Sequence, residues 1–217
     1  MASSFAQRIA GILKGSLTPL LRSRGFRKEG SVYLALHGDT ASLVDLQKSR
    51  WNDEDESRFT INGGIYIPGV VSAYSGRPDP ERPKIVDCCL SVRIGMLEES
   101  RLDKWWKVTA RDSSQDAVDE EIARELCDRV EHLLLPFFAK FESPTDVAKF
   151  LSGTMDTSSR FVAPQAPAQR HAYACLIYLK MGDSAKAHRA IEQALREAEG
   201  APIEKVIKRL RDQVLSV

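Results

Sequence analysis

The stretch from Ser57 to Tyr66, Ser-Arg-Phe-Thr-Ile-Asn-Gly-Gly-Ile-Tyr, leaves this chain few choices of fold. Phe59, Ile61, Ile65 and Ile67 fall on one side of an extended backbone, while Thr60, Asn62 and Tyr66 fall on the other, because side chains alternate along a strand. The pattern predicts a half-buried strand with a polar outer face. Its apolar side requires a second layer to cover it.

Further strands flank it. Ser31 to His37 and Ala41 to Ser49 read as two strands joined through Gly38-Asp39, a dipeptide suited to a tight hairpin. Asn52-Asp-Glu-Asp-Glu56 is an acidic turn whose like charges resist burial. Pro68-Gly69 closes the central strand, and residues 72 to 84, with Gly76, Pro78, Pro80 and Pro83, read as a long irregular loop that is either functional or mobile. A fourth strand is expected over Ile85 to Ile94, where Val86, Cys88, Leu90, Val92 and Ile94 alternate with Asp87, Cys89, Ser91 and Arg93. Trp105 to Val108 reads as a short fifth strand or a packed turn. Only one of the adjacent tryptophans can face inward on an extended chain.

The remaining segments follow helical spacing. Phe5, Ile9, Ile12, Leu13, Leu17 and Leu20 form an apolar stripe over residues 3 to 24, which Pro19 is expected to kink or divide. A second long helix, capped by Ser113-Ser114, carries Val118, Ile122, Leu126, Val130 and Leu133 on one face and acids on the other, with an end or break at Pro136. Pro144 to Leu151 suggests another short helix. Residues 152 to 168 are polar and proline-bearing, and three helices are expected beyond them, over 168 to 181, 184 to 198 and 202 to 215. The fold class is therefore α+β: an antiparallel sheet of four to five strands packed against helices, followed by a C-terminal all-helical segment. The domain division that follows is an α+β sheet domain over 1–151, a linker over 152–167, and a helical hairpin plus capping helix over 168–217.

A chain of 217 residues with 43% hydrophobic and 28% charged residues can bury a real core. The formal charge of +1 gives no global attraction to nucleic acid or membrane. Charge is nonetheless uneven, with eight Lys/Arg against three Asp/Glu over residues 1 to 50 and three against eight over residues 111 to 131. Cys88, Cys89, Cys127 and Cys175 lack zinc-ligand or disulfide-framework spacing and read as reduced, buried thiols. His37, His132, His171 and His188 are scattered. No metal or cofactor is expected. The most apolar segment, Leu133 to Ala139, is too short for a membrane span, and no signal-peptide core precedes it, so the expected location is the cytoplasm.

Leu20-Leu21, Gly25-Phe26-Arg27-Lys28, Gln47-Lys48-Ser49-Arg50-Trp51, Phe59-Thr60-Ile61-Asn62, Arg93-Ile94-Gly95 and Trp105-Trp106 occur in the order found in a bacterial family known as domain of unknown function 4304, which the chain resembles over roughly residues 8 to 135. The resemblance implies an α+β domain with an antiparallel sheet and carries no activity. Near the C-terminus, Tyr178, Gly182-Asp183, Ala187, Ile191 and Ala194-Leu195 resemble one tetratricopeptide-type helical hairpin, with small residues permitting close helix approach. The match stops at a single unit, however, and the plainer reading of the same residues is a simple helix pair docked on the first domain.

No glycine-rich phosphate loop, nucleophile elbow or zinc-protease helix is present in the sequence. The candidate binding residues are Gln47, Lys48, Arg50, Trp51, Asn62, Arg93, Trp105 and Trp106. Arg93 is expected near a strand end, tied to Asp45 or Asp87 or free to grip a partner, with Gln47 and Asn62 as companions. The function expected is a non-enzymatic protein-interaction or regulatory role of an immunity-like kind, with a protein partner. Two alternatives stand beside it. One is an enzyme or binding protein for a phosphorylated or nucleotide ligand, using Asp45, Asp87, Lys48, Arg50 and Arg93. The other, nucleic-acid binding, requires Arg22, Arg24, Arg27, Lys28, Lys48, Arg50 and Trp51 to form one patch.

Overall fold

A computed structural model describes residues 4–110, 115–153 and 161–215. Its elements run α1 (Ser4–Gly15), α2 (Leu17–Ser23), β1 (Arg27–Glu29), β2 (Val32–His37), β3 (Thr40–Lys48), β4 (Glu56–Tyr66), α3 (Val70–Ser75), β5 (Leu90–Arg93), β6 (Trp106–Thr109), α4 (Gln115–Arg129), α5 (Leu135–Ala139), α6 (Pro144–Ser152), α7 (Pro167–Lys180), α8 (Ser184–Ala198) and α9 (Glu204–Leu215). The fold is α+β. The strands form an antiparallel sheet in the order β1-β2-β3-β4-β5, and β6 pairs with β4.

β4 is the hub of that sheet. Its residues Glu56 to Phe59 pair with Thr109 to Trp106 of β6, and further along Ile65 O accepts the Cys89 N–H at 2.9 Å. A half-buried strand was the expectation, yet Thr60 is fully buried beside Phe59 and Ile61. The adjacent glycines explain much of the burial. A Cβ at Gly63 would collide with Leu134 Cδ1, and one at Gly64 would collide with Cys88 Sγ, so opposite faces of the strand are both packed at these positions.

Contacts divide the chain into two units, Met1–Ala35, Leu43–Gly63 and Val92–Ala139 for the first, and Leu36–Ser42, Gly64–Ser91 and Lys140–Val217 for the second. In the first unit the N-terminal helix breaks at Ser16 and not at Pro19. Pro19 is the third residue of α2, where a helix has no need of the missing N–H. Pro136 likewise does not end its helix. A π-helical turn over Val130–Leu134 precedes it and carries the chain into α5. That turn moves the buried stripe from Ile122, Leu126 and Val130 to Leu134, leaving the expected Leu133 half-buried. The proposed cap Ser113-Ser114 lies outside the described residues. Phe26 and Phe138 meet at 5.9 Å, and the Thr18 and Tyr33 hydroxyls share a buried hydrogen bond of 2.7 Å.

The expected fourth strand is shortened to β5. Ile85–Asp87 forms a 3-10 turn, so Val86 leaves the core and stands 74% exposed, while Leu90 and Val92 remain buried. The physical reason is a cap: Asp87 Oδ2 accepts the Lys84 N–H at 2.9 Å and curls the backbone away from strand geometry. The long loop after β4 is also tied down. Its first part is α3, and Asp79 Oδ1 accepts the Gly69 N–H at 3.0 Å and the Ser72 hydroxyl. Residues 154–160, within the expected linker, lie outside the described residues. Just beyond, Ala163 forms a two-bond bridge with Ser91, at 2.8 and 3.0 Å.

α7 and α8 pack closely because Ala187, Ala190, Ala194 and Ala198 fill the seam of α8. Asp183 caps α8 by accepting the Lys186 N–H at 3.0 Å. Ile207, Leu210 and Val214 of α9 are buried, and Arg209 donates to Tyr74 O on α3. Among the described residues no helix is long and apolar enough to cross a membrane.

Candidate functional site

The eight candidate binding residues fall in the first unit, around the end of β3, the middle of β4, the end of β5 and the start of β6, whereas Asp87 belongs to the second unit. Gly95 is what brings the last group into reach. A Cβ there would run into the Leu102 carbonyl and the Lys104 N–H, so the backbone of 102 to 104 can cross directly over it. Asp103 is thereby delivered beside Arg93.

Arg93 is an internal tie, but to Asp103 and not to Asp45 or Asp87. Its Nη1 donates to Asp103 Oδ2, and Trp105 Nε1 donates to the same oxygen at 2.9 Å. The guanidinium lies over the Trp105 ring at 5.1 Å. On the other side Arg93 Nη2 donates to Gln47 Oε1 at 3.3 Å, and Asn62 Nδ2 donates to that oxygen at 2.9 Å. Asn62, Gln47, Arg93, Asp103 and Trp105 thus form one chain of hydrogen bonds across the strands. Each acceptor oxygen in it already receives two donors.

Lys48, Arg50 and Trp51 stand apart from that chain at the exposed end of β3. Trp51 is 75% exposed, with Arg50 over its ring at 4.9 Å. It is nevertheless held in place. Ser49 Oγ accepts the Trp51 N–H at 3.1 Å, and Asn52 accepts the Arg58 N–H at 2.8 Å while donating to Ser57 Oγ and Arg58 O. In the acidic turn that follows, Asp53 Oδ1 accepts the N–H groups of Asp55 and Glu56, each at 2.9 Å. Those backbone bonds, Glu56 foremost, hold the Asp53 carboxyl below the usual carboxylate range. The clustered acids therefore form an ordered turn that presents the indole.

Trp106 belongs to the core. It is 2% exposed, stacks on Phe59 at 5.7 Å, and donates Nε1 to Glu125 Oε2 at 2.9 Å. Glu125 also receives Lys104 at 2.6 Å and Arg129, which pairs with Glu98 as well. This knot fixes β6 and α4 to one another.

Sequence reasoning missed three features. Asp103 and the 70% exposed Leu102 had no pattern to mark them, since their importance comes from crossing Gly95. The Asp79 knot in the second unit closes a pocket of about 210 Å³ with Tyr66, Ser72, Arg77 and Asp87, where burial and then Asp79 push the Tyr66 hydroxyl up to about 12. A groove on α8 carries cations in a helical stripe that the hydrophobic pattern of α8 would have revealed. Among the described residues no group of three or more His, Cys, Asp or Glu is placed to hold a metal.

A family model described as domain of unknown function (DUF4304) matches residues 17–140, from α2 to the end of α5. No curated protein and no solved structure matches the chain.

Proposed function

Because this chain belongs to the DUF4304 family, whose description carries no activity, we propose from its surface that it is a non-enzymatic interaction protein, regulatory or immunity-like, acting on a protein partner in the bacterial cytoplasm. The observation that carries the proposal is Trp51, a 75% exposed indole fixed on a hydrogen-bonded turn beside Arg50. Tryptophan and arginine dominate the energetics of protein interfaces, and a rigid exposed pair loses little entropy on binding. The neighbouring polar chain supports the same role. Arg93 and Asp103 are spent on each other and on Gln47 and Trp105, which suits a firm, pre-organised platform better than a reaction centre. Asp87, which with Asp45 was expected to serve a phosphorylated-ligand site, is spent on the Lys84 N–H.

The test is affinity purification of the tagged protein from its native host. We expect one stoichiometric protein with the natural chain and its loss with Trp51→Ala, on the order of 2 kcal/mol or more for an anchor residue. Recovery of no stoichiometric protein, or full retention by Trp51→Ala, would sink the proposal.

A further inference from the structure

Within the second unit, α7 and α8 and the end of α6 line an open groove of about 590 Å³. Lys186, Arg189, Gln193 and Arg196 recur at helical spacing along α8, because the alanine seam of that helix is turned toward α7. His171 and Tyr178 of α7 form the facing side. Glu192 brings the carboxylate among the described lining residues.

The charges there are not all cancelled. Lys186 pairs with Asp183 at 2.6 Å and His171 with Glu197 at 2.8 Å. Arg196, however, spends Nε and Nη2 on the neutral Gln193 Oε1, at 3.1 and 2.7 Å. Arg189 makes no hydrogen bond or ion pair among the described residues. Two guanidinium groups without an ion pair among the described residues therefore face one groove, seven residues or about 10 Å apart along the helix axis, Arg189 acting on Asp183 only from a distance, where it helps to lower that carboxyl.

That separation exceeds what one phosphate bridges and equals about three residues of a peptide extended in polyproline-II form, at roughly 3.1 Å each, which brings every third side chain onto one face. Single-stranded nucleic acid would seek an aromatic stacking face. The face of Tyr178 already carries Lys186 Nζ at 5.6 Å, and its hydroxyl sits 3.3 Å from Ser152 Oγ. We infer that the groove binds an extended acidic peptide segment, whose carboxylates are gripped by Arg189 and Arg196. The inference rests on the interaction role above only in taking the partner to be a protein, and it uses other residues than Trp51.

The experiment titrates the full-length protein into a fluorescein-labelled peptide of Glu-Ser-Ser repeats, which carries a carboxylate at every third residue, with a Gln-for-Glu peptide and oligothymidine as comparisons. We expect a Kd of roughly 10–100 µM for the acidic peptide, weakening with added salt. Arg189→Glu/Arg196→Glu should bind at least about tenfold more weakly while melting like the natural chain, since both side chains are exposed. Should that variant melt differently, Arg189→Gln/Arg196→Gln replaces it with the same expectation of weaker binding. Absence of binding, equal binding of the Gln peptide, unchanged affinity of the variant, or tighter binding of oligothymidine overturns the inference. A host protein lost on Trp51→Ala, with no binding of the acidic peptide, would remove the groove alone. Peptide binding with no captured host protein would remove the Trp51 surface alone.

Discussion

At the scale of single residues, hydrogen-bond satisfaction separates fixed groups from available ones. Arg93 holds Asp103, Gln47 and Trp105 together while remaining partly exposed, with side-chain exposure of 29% against 36% for Asp103. Solvent discounts the ion pair itself, and Trp105 and Asn62 still serve the two acceptors, so Arg93→Ala should cost about 1 kcal/mol, through the hydrogen bonds and ring contact it removes. Arg93→Lys should lie between, because an ammonium cannot serve both oxygens as a planar fork does. Two melting curves identical to that of the natural chain would sink the tie. Thr60 is the opposite case: fully buried on β4, its hydroxyl has no hydrogen-bond partner among the described residues. Thr60→Val keeps the shape and removes the stranded hydroxyl. It should raise stability by about 1 kcal/mol, and chemical denaturation would reveal any loss instead.

At the scale of elements, the alternation that marks a strand says where the apolar side chains could point, and a local cap decides where the strand begins. Val86 and Leu90 share one parity, but the Asp87 cap turns Val86 into solvent and leaves Leu90 fully buried. Leu90→Ala should therefore cost about 2–5 kcal/mol, whereas Val86→Ala should stay within about 0.5 kcal/mol. Equal losses at the two positions, measured by urea unfolding, would show that the 3-10 turn does not form in solution. The same competition governs Pro136, where the helix continues by shifting to π-type bonding one turn earlier.

At the scale of the whole molecule, burial of neutral acids creates a pH dependence whose largest shifts lie in the second unit, with the Cys127 thiol of the first unit also raised by burial. Burial pushes the Cys89 and Cys175 thiols from about 9 to about 12, and the Tyr66 and Tyr173 hydroxyls from about 10 to about 12. A group whose folded value is raised stabilises the fold fully below its unfolded value, and that contribution is lost as pH climbs toward the folded one. Stability should hold from neutral pH to about 9 and decline between about 9 and about 12. Thermal melts across that range, read alongside tyrosinate absorbance, check the sign. A melting temperature that rises with pH there would show these groups are not buried neutral.

The strands of the hairpin, the long helices and the three C-terminal helices were legible in the chain, because each depends on periodicity and on neighbours a few residues away. β2 and β3 meet at Gly38-Asp39, and α7, α8 and α9 lie where helical spacing and glycine punctuation place them. Gln47, Asn62 and Arg93 were also legible as companions, through alternation on adjacent strands. The partner of Arg93 was not, for Asp103 reaches it only because Gly95 lets a distant stretch of backbone cross above. Burial of Thr60 and Trp106 and the two unpaired arginines of α8 were likewise decided by what packs against them. Local spacing determines which way a side chain can face; only the folded chain determines what, if anything, meets it there.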